Sequence, residues 1–179
     1  MNQQKKILAI CGSTRQDSVN HHLINEIISV YRSQFQFESY TGIAGIIAFN
    51  PDISEAAQPE AVLAFRKAIR EADGVLICTP EYAHGVPGAL KNALDWTVGS
   101  ADFSGKPTAL ITASTDGSYA HASLLEILRT IDTKNVNDHH LLIQFIKAKM
   151  DGGNKLSHQP TIAAIEMLMK AFGSTINNK

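Results

Sequence analysis

The chain has 179 residues, a formal net charge of −1 at pH 7 and 44% hydrophobic residues, which is enough for one domain, residues 1–179, with a sizeable core. That balance, with a pI near 6.6, excludes a broad electrostatic grip on nucleic acid or an anionic membrane, because such binding needs clustered, uncompensated Lys and Arg. Any anion site therefore has to be local.

The elements follow in a regular order. Ile7 to Cys11 is a short continuous apolar run, the pattern of a strand buried on both faces. From Val19 the apolar residues Leu23, Ile24, Ile27, Ile28 and Tyr31 recur at helical spacing, with Asp17 or Ser18 available as the N-cap. Phe35 to Tyr40 alternates apolar and polar residues and reads as an outer strand, after which Gly42, Gly45, Asn50 and Pro51 break the chain. Ala61 to Arg70 presents Val62, Phe65 and Ile69 on one helical face, and Asp73-Gly74 leads into a strand over Val75 to Thr79 that Pro80 stops. Pro87 suits a first helical turn, and Leu90, Ala93, Leu94 and Thr97 continue that stripe. A strand over Thr108 to Ala113, a helix over Tyr119 to Ile131, a strand within His139 to Ile146 and a helix carrying Ile162, Ile165, Leu168, Met169 and Phe172 complete the chain.

Strands alternating with helices predict a parallel sheet covered on both faces. In such a sheet ligands bind beyond the carboxyl ends of the strands, which gathers three loops into one site: Gly12 to Asn20, Pro80 to Pro87 and Ser114 to Ser118. The first reads as a phosphate cradle, since a strand ending in Gly and Ser that opens a helix aims unpaired N–H groups at one spot, where the helix dipole favours an anion. Ser13, Ser18 and Asn20 add short donors, and Arg15 adds a planar cation.

Two segments carry a family resemblance. Gly12-Ser13-Thr14-Arg15-Gln16-Asp17-Ser18-Val19-Asn20 is similar to a G-S-x-R-x-x-S-x-N loop, and the longer, more specific Thr79 to Trp96 segment is similar to T-P-E-Y-x-x-x-x-P-G-x-L-K-N-A-x-D-W. Both resemble the NADPH-dependent FMN reductases, flavodoxin-like enzymes that include quinone, azo-dye and chromate reductases. The resemblance implies a three-layer sandwich with strand order 2-1-3-4-5, bound FMN, NADPH or NADH as co-substrate, and a homodimer or homotetramer with flavin sites near subunit contacts. It further implies that Ser13, Arg15, Ser18 and Asn20 hold the FMN phosphate and that Pro80, Glu81 and Tyr82 lie along the isoalloxazine edge. Ala83 and His84, where many members have Asn after the Pro-Glu-Tyr triplet, would offer backbone contacts. Ser114, Thr115, Asp116 and Gly117 form the third loop beside the ring.

The expected chemistry follows from that likeness: hydride passes from NAD(P)H through the flavin to a quinone, azo compound, free flavin or similar acceptor in a ping-pong cycle. No protein catalytic residue is required, because the flavin carries the reaction. An electron carrier of flavodoxin type and a phosphate-ligand module without redox function remain as alternatives, the first disfavoured by near-neutral charge. No G-x-G-x-x-G or Walker A spacing is present. The pairs His21-His22 and His139-His140 read as surface or core histidines rather than metal ligands, since neighbouring side chains diverge on a helix and alternate across a strand. Lys91, Asn92 and Asp95 read as helix-surface or subunit-contact residues. Asp102, Lys106 and the Asp151 to Asn154 stretch read as loop punctuation.

Cys11 and Cys78 lie in apolar runs and read as buried free thiols of a reducing compartment. Met1 to Lys6 lead straight into the first strand without the apolar core of a secretory leader. The expectation is a cytoplasmic protein without nucleic-acid or membrane partners.

Overall fold

A computed structural model describes residues 4–178; the part of the leader reading that rests on Met1, Asn2 and Gln3 lies outside them. The strands β1 (Lys6–Cys11), β2 (Gln36–Tyr40), β3 (Gly74–Thr79), β4 (Thr108–Ala113) and β5 (His140–Ile143) form one parallel sheet in the order β2-β1-β3-β4-β5. Between them run α1 (Val19–Tyr31), α2 (Glu60–Glu71), α3 (Gly88–Asp95) and α4 (Ser118–Thr130), and α5 (Gln159–Asn177) closes the chain. This is the flavodoxin-like sandwich that the alternation and the resemblance imply.

The pleat decides which helix meets which residue. Leu8, Ile10, Val75, Ile77 and Leu110 face one way and pack with Val62, Phe65 and Ile69 of α2, Leu90 and Leu94 of α3, and Leu124 and Leu128 of α4. Ile7, Ala9, Leu76, Ala109 and Ile111 face the other way, against Leu23 and Ile27 of α1 and Leu168 and Phe172 of α5. Strands β3 and β4 are buried along their whole length, so they read as mainly apolar runs whose threonine hydroxyls, of Thr79, Thr108 and Thr112, find partners inside the protein. Burial also pushes the Cys11 thiol up to about 11, partly offset by a backbone hydrogen bond from Ser13, and raises Cys78 well above its ordinary range. Both are free and buried, and so inert as nucleophiles at neutral pH.

The start of α5 adds to the expectation, and two other stretches differ from it. Helix α5 starts at Gln159, ahead of its apolar stripe, because Pro160 fits the first turn and the His158 ring meets Thr161 Oγ1 at 2.8 Å. Asn92 is not simply a surface residue: its side chain accepts the Phe49 N–H at 2.7 Å and donates to the carbonyls of Ile46 and Ile47, stapling the long β2–α2 connection to α3. Asp102 and Lys106 are buried hubs rather than loop punctuation. Asp102 accepts from Arg66 at 2.7 Å, Arg70 at 3.0 Å and Ser100 at 2.6 Å, while Lys106 donates to the carbonyls of Ala72 and Arg70. A buried charge persists only when paired in this way, which gives both residues a reason to be where they are.

Candidate functional site

The β1–α1 loop is shaped by close approach. A Cβ on Gly12 would overlap Thr79 Oγ1 and crowd Leu90, so glycine is required where the chain leaves β1 beside β3. Ser18 caps α1, its Oγ accepting the Asn20 N–H at 3.2 Å. Asn20 is 3% exposed and spends its amide on a strut: Nδ2 donates to the Ala113 carbonyl at 3.0 Å and Oδ1 accepts from Cys78 Sγ at 3.4 Å. The His21 ring meets the Ser13 carbonyl at 3.0 Å. Arg15 folds back so that Nε and Nη2 donate to the Asp17 carbonyl at 3.1 and 2.6 Å. Among the described residues the N–H groups of Thr14, Gln16 and Asp17 meet no protein acceptor. That is the donor set an external anion requires.

In the second loop Tyr82 and Gly85 exchange N–H···O bonds of 3.0 and 2.9 Å, closing a tight turn whose central residues Ala83 and His84 both have positive φ, 49° and 54°. Such a turn asks for Asn or Gly at those places, so the backbone is held there against its preference. Tyr82 Oη reaches Ser13 Oγ at 3.1 Å and so ties this loop to the first. Glu81 turns its carboxylate, 7% exposed, toward the start of α4.

The third loop runs between Ala113 and Gly117, which stands at φ 89°. Asp116 accepts from the Ser118 N–H at 3.2 Å and Gln144 Nε2 at 3.0 Å; these bonds hold its carboxyl below the usual range.

Between the loops lies an open cavity of about 210 Å³. Arg15, Ser18, Asn20, Pro80, Glu81, Tyr82, Ser114 and Thr115 border it, whereas Ser13, Ala83, His84, Asp116 and Gly117 lie outside its wall. Ser13 reaches it through its hydrogen bonds with two lining residues, Tyr82 and Arg15. Its floor includes Ala113, and a fourth loop, after β5, contributes Ile146 and Lys147, two residues that sequence reasoning missed. The rule that gathers the carboxyl ends of strands applies to β5 as well, and it was the available signal. A larger cavity of about 470 Å³, between Phe49 and Trp96, contains no residue of these loops.

Residues 5–148 match the family model described as NADPH-dependent FMN reductase. The chain is 30% identical over 180 residues to a 2-hydroxy-1,4-benzoquinone reductase of Burkholderia sp., covering 97% of each chain. It is 32% identical to an NAD(P)H-dependent FMN reductase of Pseudomonas aeruginosa, covering 96% of this chain and 95% of the relative. A NADH-dependent flavin reductase subunit of Lactobacillus johnsonii is 36% identical over 93% of this chain and 95% of its own. Among solved structures, the flavoenzyme NAD(P)H:(acceptor) oxidoreductase FerB from Paracoccus denitrificans superposes with a TM-score of 0.77 at 25% identity, over 97% of this chain and 98% of that one. With the sheet order and the loops at its edge, these likenesses place the chain in the NADPH-dependent FMN reductase family of flavodoxin-like oxidoreductases.

Proposed function

We propose that the cavity at the carboxyl edge of the sheet binds FMN and that the protein is an NAD(P)H-dependent reductase of quinones, azo compounds, free flavins or related acceptors. The observation that carries this reading is the set of unpaired N–H groups of Thr14, Gln16 and Asp17 in the loop after β1, whose Arg15 and Ser18 border the same cavity as Pro80, Glu81 and Tyr82. The first loop would hold the phosphate, with Arg15 and Lys147, which both border the cavity, supplying the cations. Ser13 and Ser18 add hydroxyls, while Asn20 fixes the cradle to β3 and β4. Pro80, Glu81, Tyr82 and the backbone of Ala83 and His84 would border the ring on one side, and Ser114 to Gly117 on the other.

When bound, FMN supplies hydride acceptance and donation. The chain's own task is to hold the ring between the second and third loops with one face open. NADPH or NADH and then the acceptor would approach from that open side in turn, the order of events expected to give ping-pong kinetics.

A homodimer or homotetramer fits the surface, where Ile47, Phe49 and Val98 stay exposed around the buried Trp96.

The test is direct. Purified protein mixed with FMN should turn yellow, oxidise NADPH or NADH, and give parallel double-reciprocal lines with a benzoquinone as acceptor. A colourless protein, or flavin that stays oxidised in the presence of both nucleotides, overturns the reading. Tight FMN binding with no nicotinamide turnover points to a carrier instead.

A further inference from the structure

The N-terminus of α4 is capped from another loop. Gly117, at φ 89°, brings no side chain to the cap, and the first turn of α4 contains no acidic residue. Glu81, on the loop after β3, takes that position: Oε2 accepts the Ala120 N–H at 2.8 Å and Oε1 lies 3.4 Å from the Gly117 nitrogen. Its own N–H donates to Ser114 Oγ at 3.4 Å. One residue thus grips the β4–α4 loop by side chain and backbone together. The exposed His84 ring adjoins this carboxylate, its Nδ1 3.7 Å from Oε1, and meets Tyr119 edge-on at 4.8 Å between centroids. Asp116, the other charge nearby, is engaged with Ser118 and Gln144.

We propose that Glu81 is a positioning residue that locks the second loop to the third, so setting the slot between them, and that it tunes the flavin by filling the α4 N-terminus with the chain's own negative charge. This rests on the FMN reading above. A helix N-terminus carries about half a positive charge and stabilises a nearby anion. With a carboxylate already seated there, that attraction is spent inside the protein. The reduced flavin, which gains negative charge on its pyrimidine side, then binds less favourably relative to the oxidised form than it would beside an open helix end. The acid therefore keeps the bound flavin a stronger reductant.

Glu81→Gln is nearly isosteric and retains one acceptor, so the fold should survive it; Glu81→Ala removes both acceptors. In the cofactor-free protein, amide exchange followed by NMR should speed up at least tenfold at Ala120 and Gly117 in Glu81→Ala, and at one of the two in Glu81→Gln, while amides of β3 and β4 keep their protection. Unchanged exchange at Ala120 and Gly117 in Glu81→Ala overturns the lock. In the FMN-loaded protein, Glu81→Gln should raise the ratio of oxidised to reduced flavin dissociation constants about tenfold, an upward shift of about 30 mV for a two-electron couple. An unchanged or lowered potential overturns the tuning. If wild-type protein takes up no FMN, the flavin reading and the tuning fail together, and the exchange experiment still decides the lock.

Discussion

Tyr82 Oη and Ser13 Oγ lie 3.1 Å apart, so a single hydrogen bond joins the loop after β3 to the loop after β1. Ser13 is 2% exposed and Tyr82 48% exposed, which makes the serine the fixed partner and the phenol the arm that reaches to it. Ser13 Oγ also accepts the Arg15 N–H at 3.3 Å, so the bond transmits to the cradle itself. Tyr82→Phe removes this bond and keeps the ring. It should weaken FMN binding by about 0.5–1.5 kcal/mol, the net worth of a neutral hydrogen bond, or roughly two- to tenfold in Kd. Fluorescence titration with FMN checks this, and an affinity within error of wild type would show that the two loops do not depend on each other.

Arg15 is exposed and wraps its guanidinium over the Asp17 carbonyl, a placement that leaves it at the cavity rim. Arg15→Ala should weaken FMN binding by about 1.5–3 kcal/mol, the range for hydrogen bonds to charged groups. Riboflavin, which lacks the phosphate, should bind the two proteins with similar affinity. Equal losses for FMN and riboflavin would place Arg15 at the ring rather than at the phosphate. Raised salt should weaken FMN binding in the wild type more than in the variant, since the rim is open to solvent.

The turn at Ala83 offers a stability test. Its φ of 49° is a region that Asn visits far more readily than Ala, and the side chain is exposed, so nothing blocks a larger group. Ala83→Asn should stabilise the protein by about 0.5–1 kcal/mol, a part of the penalty for a left-handed non-glycine residue. Ala83→Gly should gain less, because glycine loses more chain entropy on folding. Urea midpoints measure both, and a loss of stability in the Asn variant would mean that the turn is not strained at Ala83.

What the chain disclosed in sequence followed from local periodicity. The mainly apolar runs of β3 and β4, the stripe from Leu23 to Tyr31 and the Pro87 helix start were all visible, because each expresses one element's own burial. Contacts between elements far apart in sequence were not. Glu81 and Ala120 are 39 residues apart, and Asn20 and Ala113 are 93 apart. Nothing local at Asn20 distinguishes a ligand donor from a strut, since an amide side chain serves either role. The same ambiguity hid Asp102, where an acid in a Ser-Ala-Asp loop looks solvated until Arg66 and Arg70 arrive from α2. Lys147 escaped because its segment has no glycine or motif to mark it, only its position after β5.

Asp102 is therefore a place where one substitution should be costly. Burial opposes its ionisation, yet hydrogen bonds from Ser100, Arg66 and Arg70 outweigh that and hold its carboxyl below the usual range. The Asp102 and Arg66 side chains are 3% and 5% exposed. Asp102→Ala should cost about 3–5 kcal/mol, because it strands the Arg66 guanidinium with only Glu55 and Gln58 as partners. FMN affinity in the folded fraction should stay near wild type, since the cluster does not border the cavity between the loops. Denaturant unfolding and FMN titration together check this, and a loss below 1 kcal/mol would mean that Glu55 and Gln58 suffice to hold the arginine.

His121 is a buried histidine whose protonation opposes folding at acid pH. It is 8% exposed, with Nδ1 at 2.9 Å from Thr112 Oγ1 and Nε2 at 2.9 Å from His140 Nδ1, so the ring is held on both sides. Burial, with the neighbouring His140, pushes its pKa from 6.5 down to about 4. Burial also lowers His139, whose Nδ1 has no hydrogen-bond partner, against a smaller opposing pull from Asp138. A histidine depressed in the folded state favours folding above its unfolded pKa. As pH falls below about 6.5 the unfolded chain takes up protons that the native site refuses, so stability declines until the native group also protonates near 4. The His121 shift corresponds to about 3 kcal/mol lost across that window. Unfolding free energies from urea titrations between pH 7.5 and 4.5 should therefore fall more steeply in the wild type than in His121→Gln, which preserves a bond to Thr112 but does not titrate. Parallel profiles in the two proteins would show that the acid sensitivity arises elsewhere.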